Sequence, residues 1–368
     1  MKNHVAAAAP GCRLPNLMGT ATPAYPSVVL VGTAAPGCRV ANHVETTAPA
    51  CPSLEHVGTA PGCPAERSSA ARFVSIALTV LIPCMLLSST LFAETSSFNS
   101  ARAMQYVREV VAFGARPTGS ANHKKLENYI HAHLKADAVE DDAFAASTPE
   151  GKFPVRNIIA KFPGTRDGIV VIAGHYDTNY PLRNSGYVGA NDGGSSTALL
   201  LELANHLRGK KRDGYSVWLL WTDGEEAVKE WTATDSLYGT RHLAEKWQND
   251  GTLKKIKAFL LVDMIGDADL NIERDTNSTP WLEDLLLQAA TSLGYQSHFF
   301  GRTISVQDDH LSFVPRGVPS ADLIDLDYGY GNVFHHTPQD TIDKLSPKSI
   351  EIVGSVILET VRLLDEKK

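Results

Sequence analysis

Residues 223 to 226 read Asp-Gly-Glu-Glu and follow Tyr215-Ser216-Val217-Trp218-Leu219-Leu220-Trp221-Thr222, a run apolar enough to be a buried strand. Two adjacent carboxylates at the end of such a strand repel one another and are costly to desolvate. Either a cation sits beside them or one carboxyl keeps its proton. A metal ion supplies that charge, and other donors of the right type stand elsewhere in the chain. His175 and Asp177 lie two apart after an apolar run at 169–173. On a continuing strand they share one face, so His175 can bind a metal while Asp177 accepts from its other ring nitrogen. Asp192 sits in Gly189-Ala190-Asn191-Asp192-Gly193-Gly194, where the glycines turn the chain tightly before a helix. Asp263 follows the run 256–262, and His335-His336-Thr337 comes after the run 321–326.

Each group taken singly has an ordinary structural reading. Asp192 before glycines is a helix cap, a His-x-Asp is a surface pair, a Glu-Glu is a solvated face, and Asp263 is a strand-end cap. Their joint placement favours the chemical reading, because five groups stand in order, each behind an expected strand or at a glycine turn. Asp192, Glu226, Asp263 and His336 make the oxygen and nitrogen donor set of a zinc site that keeps one position open. Glu225, next to a ligand but pointing elsewhere, is left free to move protons.

The elements that must position these groups alternate helix and strand from residue 97 with short connections. Met104, Val107, Val110 and Val111 recur at helical spacing within 101–113, and Leu126, Tyr129, Ile130 and Leu134 do so after Thr118-Gly119-Ser120-Ala121. The stretch 197–207 is a third helix with one apolar face. Runs at 157–162, 169–173, 217–221, 256–262 and 321–326 read as central strands. This is the pattern of an α/β domain with a sheet between helical layers, and ligands of open α/β sheets gather at the carboxyl ends of the strands. The candidate groups obey that rule. No internal repeat or long linker divides the stretch, so 94–368 is expected to be a single catalytic domain.

The chain has 368 residues, 43% hydrophobic and 20% charged, an ordinary globular composition. Its first 66 residues differ. Ala9-Pro10-Gly11-Cys12-Arg13 is echoed by Ala35-Pro36-Gly37-Cys38-Arg39 and in part by Ala60-Pro61-Gly62-Cys63, with few large apolar residues throughout. Such a segment cannot bury enough surface to offset chain entropy, so 1–66 is expected to be a disordered low-complexity leader or to lie upstream of the true start. Residues 67–93 carry Arg67 and Arg72, then a charge-free apolar run at 73–92, then Ala93, which are the parts of a signal peptide. An uncleaved membrane anchor through 73–92 is the competing expectation, since the run approaches the ~20 residues a span needs. Pro83 before Cys84 is a poor lipidation site. Both readings place the domain outside the cytoplasmic membrane, in a periplasmic or extracellular setting.

All five cysteines precede residue 94, so the domain has no disulfide, no Cys nucleophile and no Cys-ligated metal. Removing the five basic and three acidic residues before 94 leaves 29 and 38, a formal charge of −9. That balance argues against nucleic acid as a partner.

The ordered set resembles the zinc-dependent aminopeptidase superfamily, from about Ser97 to Leu364. A closer likeness lies within it. Asp223-Gly224-Glu225-Glu226-Ala227, continuing through Trp231 to Asp235-Ser236-Leu237-Tyr238-Gly239-Thr240-Arg241-His242-Leu243, looks like the glutaminyl-peptide cyclotransferases. Val306-Gln307-Asp308-Asp309-His310 and Arg316-Gly317-Val318-Pro319 resemble the same family. The resemblance implies a three-layer sandwich, with a mixed, mostly parallel central sheet and helices on both faces, as in the zinc aminopeptidases. It makes Asp192, Glu226 and His336 the ligands of one catalytic Zn2+ and Glu225 the general acid/base. Asp263 and Asp308 become a hydrogen-bonded acidic pair, and Trp231 and Gln307 line the substrate pocket. The implied reaction is closure of an N-terminal glutamine of a peptide or protein to pyroglutamate with loss of ammonia. His335 stands where animal members carry tryptophan, which makes the pocket less aromatic; His336 is the expected ligand of the two because Thr337 follows it. The stretch 325–331, acidic and glycine-rich, is expected to form a mobile rim.

Two other functions compete. In a two-zinc aminopeptidase His175 and Asp263 join the ligands, with Asp177 in support, and Asp192 bridges the metals. A binding domain without catalysis would be expected to have lost Glu225 or a ligand, and it has lost none.

Overall fold

The computed structural model describes residues 98–367. The leader 1–66, the expected signal or anchor at 67–93 and all five cysteines lie outside the described residues. Helices α1 (Ser100–Val111) and α2 (Ala121–His133) come first, each started by a side chain that accepts an otherwise unpaired N–H. Asn99 Oδ1 accepts from Arg102 N at 2.9 Å and Ser120 Oγ from His123 N at 3.1 Å. Strands β1 (Ala138–Thr148) and β2 (Gly151–Phe162) form a long antiparallel hairpin. Then follow β3 (Gly164–His175), α3 (Gly194–Leu207), β4 (Arg212–Thr222), α4 (Tyr238–Asn249) and β5 (Ile256–Asp263). The chain continues through β6 (Ile272–Asp275), α5 (Pro280–Ser292), β7 (Phe299–Ile304), β8 (Ser320–Ile324) and α6 (Pro347–Glu366).

The main sheet has the order β1-β2-β4-β3-β5-β8. Pairings β4–β3, β3–β5 and β5–β8 are parallel, and β1–β2 and β2–β4 antiparallel, which is the expected mixed, mostly parallel sheet. Strands β6 and β7 pair separately. The central strands are covered on both faces, which is why they read as continuous apolar runs. Val170, Ile172, Leu219, Trp221 and Val262 pack against Leu199 and Leu203 of α3, beside α1 and α6. Val171, Ala173, Leu220 and Leu261 face the other way, onto Leu243 and Trp247 of α4 and onto Phe313. Each such side chain contributes roughly 1.5–3 kcal/mol on burial. Contact with α3 is close: a Cβ at Gly174 would lie 2.6 Å from Ser196 Cβ and 2.8 Å from the Val262 carbonyl oxygen.

Two local features differ from the sequence expectation. Strand β1 is an edge strand carrying Glu140, Asp141 and Asp142, charges that discourage further strand pairing and also hide it from an apolar-run reading. The stretch 325–331 is a rim only at its tip. Asp325 and Tyr328 are fully buried, the Tyr328 ring meeting Phe334 edge-on at 5.3 Å, while Tyr330 is 97% exposed. Among the described residues no helix is long and apolar enough to cross a membrane.

Candidate metal centre and active site

Because β3, β4, β5 and β8 run parallel, their carboxyl ends open on one side of the sheet. His175 ends β3, Asp263 ends β5, and Asp223 to Glu226 leave β4. The loop before α3 brings Asp192 among them. His175 Nε2 lies 3.0 Å from Asp192 Oδ1 and 3.2 Å from Asp263 Oδ1. His336 Nε2 lies 3.0 Å from Glu226 Oε1 and 3.3 Å from Asp192 Oδ2. Asp192 therefore faces one imidazole with each oxygen. His175, Asp192 and Asp263 bring ligand atoms within 4.8 Å of one another, and so do Asp192, His335 and His336. Both groups could hold a metal ion; the first is fully buried, while His335 and His336 in the second are half-buried. Further donors hold these carboxylates: Tyr187 Oη donates to Asp192 Oδ2, the oxygen that also faces His336, and Asn179 Nδ2 to Glu226 Oε2 at 2.8 Å.

Crowding sets the titration of these groups. Burial alone would raise Asp192, but hydrogen bonds from His175 and His336 hold it well below the usual carboxylate range. Burial opposes charge on His336, yet Glu226 and Asp192 bring it to about 11. His175 likewise lies well above its ordinary value against the cost of burial, chiefly through Asp263. The surrounding carboxylates thus draw both imidazoles toward the charged form, and a histidine that binds a metal must give up its proton there. Glu225 is pushed well above the usual range by burial, with Asp308, Glu226 and Asp309 adding to it against the opposing charge of His175. It lines the cleft together with Glu226 and Asp308.

A cleft of about 390 Å³ opens over these groups. It is lined by the polar groups Asp192, Glu225, Glu226, Asp263, Asp308 and His336 and also by Trp231, Val306, Gln307, Ile324, Leu326 and His335. Trp231 Nε1 donates to Gln307 Oε1 at 3.3 Å, tying together two residues expected in the pocket. His335 packs on the His336 ring with centroids 3.9 Å apart, and the Asn332 amide lies 3.1 Å from its Nδ1. The His336 backbone is left-handed (φ 51°), a costly conformation outside glycine that the surrounding loop imposes.

Two expected contacts differ in detail. Strand β3 stops at His175, and Asp177 lies in the segment that follows, with its carboxylate toward His175 Nδ1. The Asp177 carboxylate stands 3.6 Å from His175 Nδ1, beyond hydrogen-bond range, and instead accepts the backbone N–H groups of Glu225 at 3.2 Å and Glu226 at 3.4 Å. Asp308 Oδ1 accepts from Asp309 N, and its Oδ2 has no donor. Its partnership with Asp263 is electrostatic: burial, then the charge of Asp263, push Asp308 well above the usual range.

Several residues that shape the site carry no sequence signal. Arg116 is fully buried and grips the Asp192 loop, donating from Nε to Tyr176 O at 3.0 Å and from Nη2 to Gly189 O at 2.8 Å. Asp340 accepts from the N–H groups of Asn191 at 2.8 Å and Asp192 at 3.2 Å, and Tyr328 Oη donates to it at 2.8 Å. At Gly193 (φ 74°) a Cβ would stand 2.6 Å from Asp177 O and 3.0 Å from the His175 ring, so the glycine makes room for that imidazole.

The family model of peptidase family M28 matches residues 157–361, which contain every proposed ligand and the acid/base. Glutaminyl-peptide cyclotransferase of Drosophila melanogaster is 31% identical over 270 residues, covering 66% of this chain and 75% of the relative. The chain belongs to the glutaminyl-peptide cyclotransferases of peptidase family M28. The Dictyostelium discoideum family member is 29% identical over 329 residues, 74% of this chain and 89% of its own. The crystal structure of Acidobacteriales bacterium glutaminyl cyclase superposes with a TM-score of 0.73 at 52% identity, covering 74% of this chain and 96% of that one. The fold that carries these groups and the cleft is thus matched over most of both chains.

Proposed function

We propose that this protein cyclises the N-terminal glutamine of peptides or proteins to pyroglutamate and releases ammonia. The observation that carries this reading within the family is the cleft, whose lining joins Trp231 and Gln307, 3.3 Å apart, with Glu225 and with Asp192, Glu226 and His336. That lining also holds Asp263 and Asp308, and burial with the charge of Asp263 pushes Asp308 well above the usual carboxylate range. Glu225 remains as the proton carrier.

Asp192, Glu226 and His336 fit a single Zn2+, because two carboxylate oxygens converge on one imidazole nitrogen with the cleft on the open side. Zinc bound there polarises a carbonyl and stabilises oxyanion charge. Glu225 takes a proton from the substrate α-amine as the amine nitrogen bonds to the side-chain amide carbon. The same proton then goes to the amide nitrogen as that carbon–nitrogen bond breaks, so ammonia leaves and no protein nucleophile is consumed. Trp231, Val306 and Leu326 exclude water and hold amine and amide in attack geometry. Export is part of the proposal, supported by the charge-free run 73–92 behind Arg67 and Arg72.

The proximity of His175, Asp192 and Asp263 favours one second reading, a two-metal aminopeptidase in which Glu225 activates water. Incubating the zinc-loaded domain with a Gln-initiated peptide separates them. Ammonia with one zinc per chain supports the cyclase. Free glutamine with two zinc ions per chain supports the peptidase.

A further inference from the structure

Behind the Asp223–Glu226 turn lie two carboxylates, Asp177 and Asp223, both essentially inaccessible. Thr118 Oγ1 stands between them, 3.3 Å from Asp177 Oδ2 and 3.1 Å from Asp223 Oδ1. One hydroxyl has one proton to donate, so each carboxylate needs donors of its own. Asp177 has the N–H groups of Glu225 and Glu226. Asp223 has the Arg156 N–H at 2.7 Å and, at 2.7 Å, Nε2 of His123.

His123 is a buried residue in the first turn of α2 and is held from three directions. Its ring stacks on Tyr176 with centroids 4.9 Å apart, its Nδ1 faces Glu127 Oε1 at 3.4 Å, and its Nε2 meets Asp223. The turn itself has other anchors, Tyr238 N to Gly224 O at 2.7 Å and Leu237 N to Glu225 O at 2.8 Å. Removing His123 therefore leaves the turn pinned but takes the shortest side-chain contact from Asp223 Oδ1, the oxygen that also meets the Thr118 hydroxyl reaching Asp177.

We infer that His123 is a positioning residue for catalysis, acting through Asp223, Thr118 and Asp177 to fix the direction in which the Glu225 carboxylate leaves its turn. The inference rests on the reading of Glu225 as proton carrier. An aim lost at the acid/base lowers turnover more than binding.

The test compares His123→Ala, His123→Asn, which is too short to reach Asp223, and His123→Gln, which is long enough to donate to it. Steady-state kinetics on a Gln-initiated peptide and zinc content are measured for each. The expected result is a kcat about 10- to 100-fold lower for His123→Ala and His123→Asn, with KM within about twofold and zinc retained. His123→Gln recovers several-fold over His123→Asn, a comparison that stands even if the alanine variant does not fold. Combining His123→Ala with Asp223→Asn should cost no more than Asp223→Asn alone. Wild-type kcat in folded His123→Ala or His123→Asn, equal losses in the Gln and Asn variants, or multiplicative losses in the double variant would overturn the inference. Zinc-loaded wild type that yields no ammonia would instead sink the cyclase reading itself.

Discussion

Glu225 and Glu226 are chemically alike, and their surroundings give them different work. Glu226 faces His336 and Asn179, so its oxygens are spent on the ligand position. Glu225 lies in the cleft with Asp308, Asp309 and Asp263 close by. Its replacement by glutamine keeps size and removes proton transfer, and the expected loss in kcat is about 10²- to 10⁴-fold with zinc content unchanged. A raised carboxyl that must act as base leaves activity rising with pH through the range where it ionises. Burial first, then the neighbouring acids, move that limb above the ordinary glutamate value, while a bound cation draws it part of the way back. A kcat/KM profile still flat well below neutrality would count against Glu225 as base. His336→Ala, by contrast, is expected to lose zinc, which metal analysis of the purified variant checks. The groups that gather at the cleft were legible in the sequence because they stand in order behind apolar strands or at a glycine turn, although each singly has an ordinary use. Arg116 and His123 were not, since each is defined by what it touches: carbonyl oxygens of the Asp192 loop in one case and Asp223 in the other.

At the scale of elements, the junction of β3 with α3 sets the metal centre. Gly174 lets α3 approach the sheet, Gly193 clears the His175 ring, and Ser196 Oγ ties the helix start to His175 O at 2.8 Å. Gly193→Ala would force a side chain into the left-handed region against fixed backbone and the imidazole. The expected cost is about 2 to 4 kcal/mol in urea unfolding, with weakened zinc binding; a variant as stable and as well loaded as wild type would contradict this packing. The five central strands and the first three helices were readable from periodicity. The edge strand β1 was not, because its charged residues serve to keep the edge unpaired. The short β6–β7 pair offers too few residues for alternation to register.

For the whole molecule, the acidic balance has a consequence for stability. Asp325, just past β8, accepts from Asn271 N at 2.8 Å, and burial, with Asp267 and Glu273 nearby, raises it to about 8. The folded protein keeps this proton over a range in which the unfolded chain, titrating near 4, has lost it. Its contribution is complete below the unfolded value and is lost as pH rises toward 8, at no more than about 1.4 kcal/mol per unit. Thermal unfolding is expected to shift downward between pH 5 and pH 8 on this account. Asp325→Asn should flatten that fall, and an unchanged slope would show that the carboxyl does not stay protonated.

Function at this scale comes down to what leaves the cleft. The most direct measurement is a mass spectrum of a Gln-initiated peptide, with an ammonia assay, after incubation with the zinc-loaded protein. The expected result is a peptide of unchanged length that has lost one ammonia, produced by wild type and not by Glu225→Gln. Release of free glutamine and a peptide shortened by one residue would contradict the assignment.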